Sequence, residues 1–180
     1  MKIAITGKSV LHLCDAPWSD YNWEIWHLND GYHNNRNILP RFDKYFEIHD
    51  ENEIEKTKDR YQDYKQFLID NQDKLISNKI SFLPNSEIYP YKDICEKFNT
   101  KFFKNSISYM IAYALYKYPD MEELGLWGIE LHSDMQYHDQ EDCVSYWIGR
   151  AEAMGIKVQT SMHSSLLKLD NYYSKLFEGQ

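Results

Sequence analysis

A chain of 180 residues is long enough for one domain with a full apolar core. Its net charge of −8, with basic residues scattered and never in runs, excludes a broad phosphate-backbone footprint, so nucleic acid is not expected as a partner. The three cysteines, Cys14, Cys95 and Cys143, form neither a disulfide framework nor a zinc ribbon, and no apolar run reaches the roughly 18 residues of a membrane span, so a cytoplasmic protein with no membrane partner is expected.

The apolar stretch Lys2–Thr6 predicts a first strand closed by Gly7. Gly7-Lys8-Ser9 then supplies a turn of small residues, half of a phosphate-loop pattern without its later glycines. Residues 23–29, rich in aromatic and β-branched side chains, predict a second strand ending on the turn signal Asn29-Asp30-Gly31. Residues 42–50 predict a third, ending at His49-Asp50. The stretch 51–78 is highly charged. Tyr61, Tyr64, Phe67, Leu68, Leu75 and Ile76 recur there at helical spacings and predict a helix over 58–76 that covers one face of the sheet. Residues 79–84 read as a fourth strand closed by Pro84, and 91–98 as a short helix. A helix over 106–118, capped by Asn105 or Ser106, leads into a buried strand over 123–129 that ends beside Glu130. A polar loop over 131–142, a helix over 143–154 with Gly155 as its cap, a strand over 157–161 and a terminal helix or tail, with 169–180 as tail, complete the chain.

Strands alternating with helices predict a single α/β domain over 1–180. It is Rossmann-like and doubly wound, a mostly parallel sheet with helices on both faces. The carboxyl ends of such strands share one edge, where ligands bind. Gly7, Lys8, Ser9, Asn29, Asp30, Asn105, Ser106, Gly128 and Glu130 converge there and are the ligand-binding candidates. Ser106, with Ser108, sits at a helix start whose free N–H groups favour phosphate or another anion. Asn29 and Asp30 can read a ribose or a base. His132, His138 and His163 are the general-base candidates, since imidazole titrates near neutral pH. His132, Asp134 and His138 could also ligate a metal, but their spacing matches no tight signature, and neither a metal nor a cofactor is expected. The bland alternatives are a plain capped helix, an empty cleft, solvated loop histidines and a solvated Glu47/Asp50 face. Fifteen Tyr, eight Phe and five Trp would suit stacking on rings, although the codons of an AT-rich genome give the same composition.

Trp23-Glu24-Ile25-Trp26, Phe46-Glu47-Ile48-His49 and Leu126-Trp127-Gly128-Ile129-Glu130 resemble, over nearly the whole chain, a widespread group of small bacteriophage proteins. More remotely, the same order looks like bacterial sialyltransferases that use a CMP-sugar on a single Rossmann-like domain. That resemblance implies a nucleotide around Gly7, Ser9, Asn29, Ser106 and Gly128, with Tyr137 at its phosphate. The chain departs from that pattern with Lys8-Ser9-Val10 where the family has Asn-Gly-Pro and with Glu130 where it has Asp, and no histidine falls on a catalytic position. The expectation is a protein that binds a nucleotide or nucleotide-derived signalling molecule and, in a host cytoplasm, sequesters it to counter defence. The rivals are a nucleotide-sugar-dependent transferase and a structural or partner-binding protein with an unused cleft. A homo-oligomer is compatible with each.

Overall fold

The structure, a computed structural model, describes residues 1–10, 13–31, 40–58, 63–130, 138–162, 164 and 166. Seven strands form one sheet: β1 (Lys2–Thr6), β2 (Trp23–Leu28), β3 (Lys44–Glu47), β4 (Leu75–Ser77), β5 (Glu87–Ile88), β6 (Glu123–Trp127) and β7 (Lys157–Thr160). Their order is β5-β4-β3-β2-β1-β6-β7, and every pair is parallel. Among the described residues the α-helices are α1 (Glu51–Lys58), α2 (Tyr64–Asp70), α3 (Tyr91–Phe98), α4 (Ser106–Lys117) and α5 (His138–Ala153).

Period-two alternation divides the strands between two apolar layers. Ile3, Ile5, Trp26, Leu28, Phe46, Ile76, Leu124 and Leu126 pack beneath α3, α4 and α5 in the largest core cluster. On the opposite face, Tyr45 and Leu75 meet Ile54 of α1 and Tyr64 and Leu68 of α2. Ala4, Trp23, Ile25 and Trp127 meet Leu13 and Ala16. With both faces covered, the central strands read as nearly continuous apolar runs, as parallel sheets require. The pair Trp23 and Trp127 stands edge to face at 5.4 Å between ring centroids.

The α/β architecture is as expected, and the described sheet is wholly parallel. The charged cover segment is organised differently. Where a helix was expected over 58–76, the described residues hold the last residue of α1, then α2, a 3-10 turn Gln72–Lys74 and the start of β4. Asn71 closes α2, its Nδ2 donating to Phe67 O at 2.8 Å, so Leu75 and Ile76 enter the sheet as strand residues. Residues 79–84, expected as a strand, form turns instead. Ile80 and Leu83 are buried three residues apart beside Tyr45, and Leu83 N donates to Ile80 O at 3.2 Å. β5 was not expected. It has only two residues, both exposed, so it carries no alternating pattern. α5 begins at His138, five residues before the expected start, because the polar residues of its first turns carry no apolar periodicity. Among the described residues no helix is long and apolar enough to cross a membrane.

Candidate functional site: a cleft at the carboxyl edge of the sheet

β1 has β2 on one side and β6 on the other, so successive strands run outward in both directions from it. That switch point opens a crevice at the carboxyl ends of β1 and β6. The loops after these two strands are laced together. Gly7 N donates to Trp127 O at 2.7 Å and Ser9 N to Gly128 O at 2.9 Å. The approach demands glycine on both sides: a Cβ on Gly7 would lie 2.2 Å from Gly128 O, and Gly128 has φ +65°. Above this floor, Ser9 Oγ donates to Glu130 Oε2 at 3.2 Å.

The facing wall is the start of α4. Asn105 is its N-cap: Oδ1 accepts from Ser108 N at 2.9 Å, and Ser108 Oγ returns to the Asn105 backbone in a capping box. Ser108 is fully buried in this cap and does not face the cleft, contrary to its pairing with Ser106 in the sequence reading. The cap satisfies Ser108 N–H and leaves the N–H groups of Ser106 and Ile107 without helical acceptors.

Between floor and wall stands Asn29, held in the left-handed region at φ 50°. Its N–H donates to Phe46 O at 2.8 Å, and Tyr45 OH donates to its carbonyl. Its Nδ2 donates to Ser106 Oγ at 3.2 Å. Its Oδ1 is buried and has no hydrogen-bond partner among the described residues. Gly7, Lys8, Ser9, Asn29, Asn105, Ser106, Gly128 and Glu130 line one cavity of about 310 Å³, together with Leu28, Ile107, Ile129 and Gln140. Asp30 is turned away from it, ion-paired to Lys8 on the wall of a neighbouring cavity. His132, Tyr137 and His163 lie outside the described residues. His138 opens α5, and its side chain lies outside them too.

Two further cavities adjoin. One, of about 460 Å³, shares Asn105 and Ser106 with the first and is walled by Tyr89, Tyr91, Phe103 and Tyr109. The other, of about 350 Å³, shares Lys8 and Asn29 and contains Glu47, Glu53 and Tyr64. His49 lines both. Its Nδ1 is 2.6 Å from Glu47 Oε1, and the hydroxyl of Tyr64 donates to Glu47 Oε2. Glu47 is 1% exposed, so it is no part of a solvated face. The hydrogen bond from Glu47 lifts the His49 imidazole above its ordinary value of 6.5, against the opposing pull of burial. Burial raises the Tyr64 phenol well above its usual range, so it stays a donor.

His49 was expected, with Asp50, at a strand end on this edge, but the general-base candidates were His132, His138 and His163. The signal was present: Glu47 and His49 share one face of a strand, and Glu47 interrupts the apolar run Tyr45-Phe46-Glu47-Ile48. Among the described residues no group of three His, Cys, Asp or Glu is placed to hold a metal.

No family model and no curated protein matches the chain. Two solved structures do. One is the sialyltransferase CST-II in complex with a trisaccharide acceptor and CMP: 14% identity, 89% of this chain, 81% of that chain, TM-score 0.41. The second is a variant of the same sialyltransferase in complex with CMP: 13% identity, 89% of this chain, 80% of that chain, TM-score 0.40. Likeness at this level carries no residue-by-residue correspondence, and function has to be read from the cleft itself.

Proposed function

We propose that the cleft binds a phosphate-bearing small molecule of the nucleotide type. The observation that carries this reading is the pairing of opposite polarities in one cavity. Ser106 and Ile107 present N–H donors at the positive end of α4, which favour an anion. Asn29 presents a buried oxygen with no donor among the described residues, at a desolvation cost of about 1–3 kcal/mol that a ligand N–H or O–H would relieve. A ligand with a phosphate at one end and a ribose hydroxyl or base amine nearby satisfies both. Glu130 adds an acceptor of the kind that ribose hydroxyls use.

Calorimetry against nucleoside monophosphates, cyclic nucleotides and nucleotide sugars tests the reading. One class is expected to bind with 1:1 stoichiometry, and Ser106→Glu is expected to abolish binding by placing a carboxylate against the phosphate. Binding of inorganic phosphate as tightly as any nucleotide would overturn it. A protein that sequesters a signalling nucleotide needs nothing beyond this cleft, and it would release its ligand chemically intact after heat denaturation. A second reading, transfer of a group from a nucleotide donor, is favoured by one specific observation: the buried Glu47 carboxylate holding His49 beside the cleft.

A further inference from the structure

Glu47 is an expensive residue to keep at the heart of a fold. It is 1% exposed, and among the described residues it forms no bridge to Lys or Arg. Apolar side chains usually stabilise such positions better than buried charged pairs. Its two oxygens are divided between Tyr64 OH and His49 Nδ1, so the carboxylate is locked from one side and orients the imidazole on the other. His49 N–H also donates to Glu47 Oε1 at 3.1 Å, which fixes the backbone that carries the ring. The second ring nitrogen, Nε2, has no hydrogen-bond partner among the described residues, and the side chain is 42% exposed and lines both cavities. A nitrogen base oriented by a buried third group is the arrangement that proton transfer needs. The charged groups around it are Glu47, Glu53 and Lys8.

We propose that His49, oriented by Glu47, is the proton-accepting residue of the cleft. It acts on a hydroxyl group that enters the aromatic chamber of Tyr89, Tyr91, Phe103 and Tyr109 while a nucleotide donor lies against Ser106. The inference rests on the nucleotide reading of the cleft. The chamber and the phosphate wall share Asn105 and Ser106, so donor and acceptor meet at one partition. The aromatic faces suit the C–H face of a sugar ring or another hydroxyl-bearing ring. In the step, the hydroxyl oxygen bonds to the donor's anomeric carbon and its proton passes to His49 Nε2. The bond from that carbon to the phosphate oxygen breaks, and its electron pair leaves with the phosphate toward the N–H groups of Ser106 and Ile107. Glu47 stabilises the resulting imidazolium. Glu47 is a positioning residue; His49 touches the reacting hydroxyl.

The test incubates the full chain with CMP-, UDP- and GDP-sugars, with water alone and with methyl glycosides as hydroxyl sources, and reads products by chromatography. The His49 titration is followed by NMR. One donor is expected to turn over, with a rate that rises with pH through the NMR-measured His49 titration. His49→Gln, at a half-exposed position that tolerates the change, is expected to lose on the order of 10²–10⁴-fold in rate. Its donor affinity should stay within about threefold. Glu47→Gln is expected to lower the His49 titration and carry the rate limb down with it. Should that variant fail to fold, Tyr64→Phe frees one Glu47 oxygen and is expected to shift the same limb. Turnover unchanged in His49→Gln overturns the inference. Binding of nucleotide sugars without turnover overturns it and leaves the nucleotide reading standing. Absence of both overturns the two together.

Discussion

At Gly7 and Asn29 the side chain, or its absence, decides whether the cleft exists. Gly7 has its missing Cβ only 2.2 Å from Gly128 O, a backbone atom that cannot rotate away. Gly7→Ala must part the two loops, and a loss on the order of 1–3 kcal/mol is expected in denaturant titration, the usual scale of overpacking. Nucleotide binding should fall with it. Asn29 separates stability from binding more cleanly. Its φ of 50° is a conformation that glycine adopts freely, so Asn29→Gly keeps the backbone within about 1 kcal/mol of the parent's stability. It also removes the buried Oδ1 and the hydrogen bond to Ser106. Nucleotide affinity is expected to drop about tenfold, the effect of one or two hydrogen bonds. A variant that binds as tightly as the parent would show that the amide serves only the turn.

Helix α4 supplies the wall proposed for the phosphate, and its first turn depends on Asn105. The side chain caps Ser108 N–H, and its Nδ2 also donates to Gln140 O at 3.4 Å, which ties the start of α4 to α5. Asn105→Ala is expected to cost about 1 kcal/mol, read as a lowered midpoint of unfolding, and to weaken nucleotide binding by fraying the turn that presents the N–H groups. Elements like α4 were legible in the sequence because local chemistry and periodicity agree: an Asn cap, an unbroken apolar face and a basic last turn. β1, β2 and β6 were legible because both faces are buried, so they read as short apolar runs. From those strands came the parallel order and hence the convergence of Gly7, Ser9, Asn29, Ser106 and Gly128 on one cavity. The end of the helix expected over 58–76 was misread because Leu75 and Ile76 keep helical spacing with Tyr64 and Leu68 while tertiary pairing to Tyr45 and Phe46 takes them into the sheet. His49 was passed over as a base because its meaning comes from Tyr64 and from the cavity beyond Ser106, contacts that no local window contains. Ser106 could be placed at a helix start, but only the structure shows that Ser108 is consumed by the cap.

On the scale of the whole molecule, a net charge of −8 opposes an anionic ligand, so the cleft must work by local donors. Lys8 is neutralised by Asp30. Among the described residues that leaves the α4 N-terminus at its wall, with Lys104 and His49 on the adjoining aromatic cavity and Lys56 on the other. Among the described residues, His27 and His49 titrate in opposite directions, and together they shape stability against pH. His27 is fully buried and its pKa is pushed down to about 4, chiefly by burial. The unfolded chain therefore binds an extra proton between the ordinary value of 6.5 and about 4, so stability is full above 6.5 and falls as the pH drops through that window. A shift of that size corresponds to about 3 kcal/mol. His49 works the other way. Its folded value is raised above 6.5, so its contribution is complete below 6.5 and is lost as the pH rises through the raised value. Its partial exposure makes the second effect much the smaller. A stability maximum near pH 6.5 is expected, with a steep acid limb and a shallow alkaline one, measured by urea titration across pH 4–9. Glu47→Gln is expected to flatten the alkaline limb alone, because it replaces the charged acceptor that raises His49 with a neutral amide and leaves His27 untouched. An alkaline limb that persists in that variant would show that the Glu47–His49 contact does not set the titration.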